Sequence, residues 1–320
     1  MALPENVKKW LSSRFAGCVE FDAPMDRHTS IRVGGPADAL VFPDSRETLG
    51  DLMAGAWDRG VGYLVVGDGS NLLVSDRGIS GIVICLTRCL NTIEMEPDGE
   101  QGARLFAGAG VRTKLLCRHC LKHGLAGMNF ALGIPGTIGG AIRMNAGTLA
   151  GWMSDMLDSI ELIYPMGKPK RVYKDEFLIG YRKINWYQVA EQEKKFPPVI
   201  LGGSFILKSM DRQRLRKEAR EIVKKRLKGQ PMGAPSAGCF FKNPKGGKPA
   251  GWLIENAGLK GRCIGGAMIS GKHANFIVNS DNATANDIMR LMNMVQEAVF
   301  KKFHVKLEPE VQIVGESTDS

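Results

Sequence analysis

Two glycine-rich loops constrain the fold of this chain more than any other feature. The first reads G-D-G-S-N, from Gly67 to Asn71, and the second L-G-I-P-G-T-I-G-G-A-I-R-M-N-A-G, from Leu132 to Gly147. In the first, Gly67 and Gly69 flank Asp68 and lead into Ser70 and Asn71. Free backbone N–H groups and side-chain donors gather there in a nest suited to a pyrophosphate. A plain hairpin turn is the alternative. In the second, five glycines and Pro135, which fixes one φ, describe a backbone passing very close to something. With Thr137, Asn145 and few charges, that something is a large, flat, partly polar ligand, or else a tight chain crossing. The candidate contacts are Gly67, Asp68, Gly69, Ser70, Asn71, Gly133, Pro135, Gly136, Thr137, Gly139, Gly140 and Asn145. Neither loop is a Rossmann fingerprint, which needs G-x-G-x-x-G spacing between a strand and a helix. The pair therefore predicts a dinucleotide cradled between two small α+β subdomains.

Hydrophobic patterning around these loops supports that division. Ala39 to Phe42 reads as a strand, and Asp44 as an N-cap with Glu47 three residues on, ahead of Leu49, Leu52, Met53 and Ala56 at helical spacing. Gly60 ends the helix, Val61 to Val66 is an apolar strand, and Leu72 to Val74 follows the first loop. A chain of 320 residues exceeds what one core usually serves. We expect units at 1–87, 88–207 and 208–320. In the last, Leu215, Ala219, Ile222, Val223 and Leu227 mark an amphipathic helix whose outer face is basic, nine of the eighteen residues from Asp211 to Lys228 being Lys or Arg. Asn275 to Asn279 reads as a strand, and Ala285 to Lys302 as a helix with Ile288, Leu291, Met292, Val295 and Val299 inward.

A formal net charge of +10 raises the question of nucleic acid. The basic helix lacks the interleaved aromatics of a base-stacking platform, so no nucleic-acid partner is expected; a general attraction for small anions is. The N-terminal residues have no apolar signal core and no run approaches a membrane span. Seven cysteines without a scaffold rhythm suit a reducing cytoplasm. The cluster C-R-H-C-L-K-H, Cys117 to His123, resembles half a zinc site, but no second pair is suitably spaced and the stretch reads as a helix, so no metal is expected.

The decapeptide P-S-A-G-C-F-F-K-N-P, Pro235 to Pro244, sets a lone thiol, Cys239, beside Lys242 and Asn243. It is either a proton-transfer site or a turn with a buried cysteine. Taken with H-T-S-I-R-V-G-G-P-A-D (28–38), V-V-G-D-G-S-N-L-L-V-S-D (65–76), G-I-P-G-T-I-G-G-A (133–141), G-Y-R (180–182) and L-E-P-E-V-Q-I-V-G (307–315), it resembles the UDP-N-acetylenolpyruvoylglucosamine reductase (MurB) family. The segments occur in the family's order across nearly the whole chain. The short link from Lys242 to Ile254 is similar to the type II enzymes, which lack a long inserted loop.

The resemblance implies an α+β fold, with a two-subdomain FAD-binding module of the PCMH/vanillyl-alcohol-oxidase type and a C-terminal α+β substrate domain. It implies non-covalent FAD, NADPH as hydride donor, and reduction of the enolpyruvyl ether of UDP-N-acetylglucosamine to UDP-N-acetylmuramate for peptidoglycan. By motif position Arg182 contacts the substrate carboxylate, Glu310 is the catalytic glutamate in a protonated or proton-sharing state, and Cys239 stands where many members carry a serine proton donor. Asn243, Lys260 and Arg226 would anchor the substrate, with Lys242 as a further candidate. A monomer is expected, as is sensitivity of Cys239 to thiol reagents. Two other readings stay open: an oxidase of small alcohols on the same FAD scaffold, and a colourless basic nucleic-acid-binding protein.

Overall fold

The computed structural model describes residues 3–97, 102–186 and 195–316. Its first region comprises α1 (Glu5–Arg14), β1 (Val19–Pro24), β2 (Pro36–Val41), α2 (Arg46–Asp58), β3 (Tyr63–Val66), β4 (Leu72–Val74) and β5 (Ile79–Cys85). Four strands form one sheet in the order β1-β2-β5-β3, antiparallel between β1 and β2 and parallel on either side of β5. Ser45, not Asp44, caps α2: its hydroxyl accepts the Thr48 N–H at 3.0 Å, while Asp44 takes the Thr48 hydroxyl at 2.8 Å. Strand β3 starts later than the apolar run because the Val61 N–H turns back to the Ala56 carbonyl, past Gly60 at φ +61°.

The second region runs β6 (Ile93–Pro97), β7 (Gly102–Gly108), α3 (Thr113–His123), β8 (Leu125–Ala126), α4 (Ile138–Arg143), β9 (Gly147–Thr148), β10 (Gly151–Trp152), α5 (Met153–Met156), β11 (Leu157–Ile163), β12 (Lys170–Tyr173), β13 (Leu178–Gly180), β14 (Lys183–Asn185) and β15 (Val199–Ser209). Its main sheet is ordered β12-β11-β15-β7-β6, with β8 also on β15. Gly203 in β15 lets α4 dock, since a Cβ there would lie 2.7 Å from Ile142 Cδ1. One continuous core joins the two regions, with Leu49, Ile82, Leu105, Ile138 and Phe205 all fully buried. Cys117 and Cys120 lie inside that core on α3, and burial pushes both thiols up to about 12.

After α6 (Arg212–Gly229), which packs on α3 of the second region, the third region holds β16 (Ser236–Cys239), α7 (Ala250–Asn256), β17 (Cys263–Ile264), β18 (Ala267–Ile269), β19 (Phe276–Asn279), α8 (Ala285–Phe303) and β20 (Gln312–Val314). Strands β16-β19-β18-β17 make an antiparallel sheet. Helix α8 packs on it through Ile288, Leu291, Met292, Val295 and Val299, all buried. Each such side chain stabilises by about 1.5–3 kcal/mol relative to exposure. Helix α6 is shallower than its pattern predicts: Leu215 and Ala219 are buried, while Val223 and Leu227 are exposed.

The third region is fastened to the first by a shared core with Ile31, Val33 and Leu73 and by backbone connections. Strand β20 pairs in parallel with β4, and the Asp76 carboxylate accepts the Ala285 and Asn286 N–H groups at 2.7 and 2.9 Å, at the positive end of α8. Because β4 pairs with β20 and not with β3, the Gly67–Asn71 loop is not a hairpin turn.

Candidate active site

The two glycine loops meet. A Cβ on Gly67 would lie 2.3 Å from Thr137 Oγ1, and one on Gly136 would lie 2.7 Å from Ser70 Oγ. The Ser70 hydroxyl donates to the Pro135 carbonyl at 3.3 Å. Gly69, at φ +60°, leaves only 2.0 Å between a Cβ and the His28 carbonyl oxygen. Such positions admit glycine alone. Asp68 pairs with Arg112 at 3.3 Å, and Thr113 donates its N–H and hydroxyl to the Gly136 carbonyl at 2.9 and 3.1 Å. Gly139 is packed on Ala109, whereas Gly133, Pro135 and Gly140 are exposed. The result is a bare-backbone cradle with glycine and proline at its open rim.

Asn145, at the end of the second glycine loop, is buried. Its side chain is engaged inside the protein, accepting the Ser154 N–H at 3.1 Å and donating to the Gly180 carbonyl at 3.3 Å. Strands β13 and β14 pair Gly180 with Lys183, so Tyr181 and Arg182 form the intervening two-residue turn, with Arg182 at φ +57°. This hairpin aims the arginine. Its Nη1 donates to the Gly147 carbonyl at 2.9 Å, and its guanidinium lies 5.1 Å from the Trp152 ring centroid and 5.3 Å from that of Tyr181. Arg182 Nε stands 2.6 Å from Glu310 Oε1, an ion pair whose N–H is not aligned along the contact. The two side chains are only 19% and 11% exposed, so the pair is poorly screened.

Glu310 reaches this point because the chain entering β20 is pinned at both sides. Its N–H donates to the Phe240 carbonyl at 2.8 Å, and its carbonyl accepts from Asn71 Nδ2 at 3.3 Å. Burial pushes its carboxyl above the usual carboxylate range, against the pull of Arg182, Lys242 and Tyr181. Cys239, next to Phe240, shares the same environment. Burial pushes its thiol up to about 12, helped by the Glu310 charge and opposed by Arg182, Arg226 and a hydrogen bond with Asn275. Burial thus favours the neutral thiol over the thiolate, the form that thiol reagents attack.

The remaining anchoring candidates are more scattered in their commitments. Arg226 is drawn inward: it donates to the Leu132 carbonyl at 3.1 Å, lies over Gly133, and burial lowers its pKa. Asn243 accepts the Ala250 N–H at 3.0 Å, closing the loop before α7. Lys260 pairs with Glu255 at 2.7 Å, and Lys242 with the exposed Glu308 at 3.1 Å.

Three residues escaped the sequence reading. Asn275 is buried and brackets the thiol turn through the N–H and carbonyl of Phe241, at 3.0 and 2.8 Å. Tyr181 accepts the Asn243 N–H at 3.5 Å and lies close to Glu310. Its place beside Arg182 in G-Y-R was the available signal. Trp152 had none, because its partner is thirty residues away in the chain.

Residues 230–314 match the C-terminal domain of UDP-N-acetylenolpyruvoylglucosamine reductase, and residues 37–173 match an FAD-binding domain. The UDP-N-acetylenolpyruvoylglucosamine reductase of Desulfosudis oleivorans is 46% identical over 314 residues, 98% of this chain and 100% of the relative. That of Carboxydothermus hydrogenoformans is 40% identical over 310 residues, 97% and 98% of the two chains. The crystal structure of the Thermus caldophilus enzyme (MurB) superposes with a TM-score of 0.75 at 34% identity, covering 92% of this chain and 97% of that one. This chain belongs to the UDP-N-acetylenolpyruvoylglucosamine reductase (MurB) family.

Proposed function

We propose that Arg182, Cys239 and Glu310 supply the charge stabilisation and the proton for the NADPH-driven reduction of UDP-N-acetylenolpyruvoylglucosamine to UDP-N-acetylmuramate. The chain is an FAD-dependent oxidoreductase that uses NADPH in peptidoglycan precursor synthesis. The cradle fits this cofactor: Gly67, Gly69 and Gly136 admit no Cβ, so donors of the backbone lie bare to a flat dinucleotide. We assign its holding to Gly67–Asn71 and Gly133–Gly140. Bound there, FAD would supply two-electron redox chemistry between NADPH and the vinyl ether.

The protein's own part is electrostatic and protolytic. Hydride arrival at the terminal carbon leaves negative charge on the carbon beside the carboxylate, spread over the carboxylate as an enolate. Arg182 binds that carboxylate and stabilises the added charge. Glu310 is already raised by burial. A second carboxylate on Arg182 favours its protonated form further, turning a repulsive neighbour into a hydrogen-bond donor. Cys239 delivers its proton to the carbanionic carbon, completing the lactyl ether. The thiolate so formed faces Arg182 and Arg226, both of which favour it, until it regains a proton. Arg226, Asn243 and Lys260 anchor the nucleotide, with Lys260 exchanging Glu255 for diphosphate. We assign the enzyme to the cytoplasm, on the support of seven free cysteines.

The observation that carries this reading is the convergence of a fixed guanidinium with a carboxyl and a thiol that burial raises, in one poorly screened site. In an anaerobic test of Cys239→Ala, reduction of bound flavin by NADPH persists, while its reoxidation by the enolpyruvyl sugar slows by about 10²–10⁴-fold. Unchanged reoxidation removes Cys239 as donor.

A further inference from the structure

We infer that Asn145, working with Trp152, is a positioning residue for Arg182; this rests on the reading of Arg182 as the carboxylate-binding arginine. Asn145 is 3% exposed and sits at φ +39°. Asparagine tolerates that left-handed conformation better than most residues. Its two hydrogen bonds define the amide's orientation, because an oxygen must face the Ser154 N–H and a nitrogen the Gly180 carbonyl.

Those partners lie on two different segments. Gly180 opens the turn that carries Tyr181 and Arg182. Ser154 follows Trp152 at the start of α5, just after the β9–β10 hairpin. One side chain thus ties the arginine's hairpin to the segment whose Gly147 carbonyl and Trp152 ring receive the guanidinium. Trp152 is itself pressed on Gly147, where a Cβ would lie 2.5 Å from the indole Cε3. Tyr181 closes the other side, its ring 5.7 Å from that of Trp152 and tilted by 66°. Removing this bracket leaves the charge of Arg182 intact and releases its plane. A planar fork binds carboxylate bidentately only when that plane is held.

Asn145→Asp keeps the acceptor for Ser154 and tolerates the positive φ, but turns an oxygen toward the Gly180 carbonyl. Binding to the oxidised holoenzyme is measured for the enolpyruvyl sugar and for UDP-N-acetylglucosamine, which lacks the carboxylate. Affinity for the first falls by about tenfold or more, while affinity for the second and flavin reduction by NADPH stay within about twofold. Arg182→Lys alone abolishes the preference for the carboxylate, and adding Asn145→Asp to it has no further effect. If Arg182→Lys keeps the preference, the reading of Arg182 fails. If Arg182→Lys loses it and Asn145→Asp does not, only the role of Asn145 is overturned. Equal weakening of both sugars, or release of flavin from a folded variant, also overturns it. Should Asn145→Asp not fold, Trp152→Leu carries the same expectation, with Trp152→Phe restoring the preference.

Discussion

The cofactor cradle and the catalytic cluster we propose are built on opposite principles. The cradle joins two local loops through backbone, and its requirement is absence: at Gly67, Gly69 and Gly136 no Cβ fits. The cluster joins three distant segments through side chains, the Tyr181–Arg182 turn, the Cys239 turn and the approach to β20. Its requirement is a balance of charge in poor solvent screening, a 2.6 Å ion pair beside a thiol raised to about 12. Damage to the cradle should act through volume and strike every step; damage to the cluster should act through charge or a proton and strike one step.

Gly69→Ala is the severest way to test that contrast. The new Cβ meets backbone 2.0 Å away, and the left-handed φ adds about 1–2 kcal/mol for a non-glycine residue. The purified protein should carry little or no flavin, and both half-reactions should vanish together; yellow protein with normal turnover would dissolve the distinction. Glu310→Gln should instead bind flavin and accept hydride from NADPH normally, while reoxidation by the sugar drops by about 10²–10³-fold. Stopped-flow absorbance reads both.

A pH profile sharpens the same point. Burial raises the Glu310 carboxyl, so its proton is kept to higher pH than on an exposed glutamate. The sugar-dependent step should slow as pH climbs through that raised value, and Glu310→Gln should lack this limb. The NADPH-dependent step should be indifferent to it.

The mildest effects concern the thiol. Burial pushes the Cys239 thiol up to about 12, so its thiolate is scarcer at neutral pH than that of an exposed thiol. Iodoacetamide should label it slowly at pH 7 and faster as pH rises toward 12, as mass spectrometry can follow. Cys89, Cys117, Cys120 and Cys239 all share folded values of about 12. Between pH 9 and 12 the unfolded chain has lost protons that the folded chain still holds. Stability from these thiols is thus complete below pH 9 and lost across that window. Thermal melts should show a falling midpoint there, with a slightly shallower fall for Cys239→Ser.

Legibility in the sequence followed the range of the interactions. Helix α8 could be read almost to the residue, because its burial pattern and its Thr284–Asp287 capping box are local. Helix α6 was read correctly as a helix, yet Val223 and Leu227 do not find a covering partner in its core, which periodicity cannot reveal. The cap of α2 moved from Asp44 to Ser45 because two adjacent residues both qualify, and only backbone geometry chooses between them. Arg182, Cys239 and Glu310 were legible as motif positions. Asn275 and Trp152 were not, since each acts on a partner far along the chain.

By itself the sequence determined where the backbone must be bare, which residues carry ionisable chemistry and which segments are helix or strand. Those properties depend on neighbours a few residues apart. Tertiary structure alone decided that Glu310 lies against Arg182, that burial raises the Cys239 thiol, and that the Asn145 side chain bonds Ser154 and Gly180. Each of these depends on which distant segment displaces water from a polar group, and desolvation is a property of the assembled site.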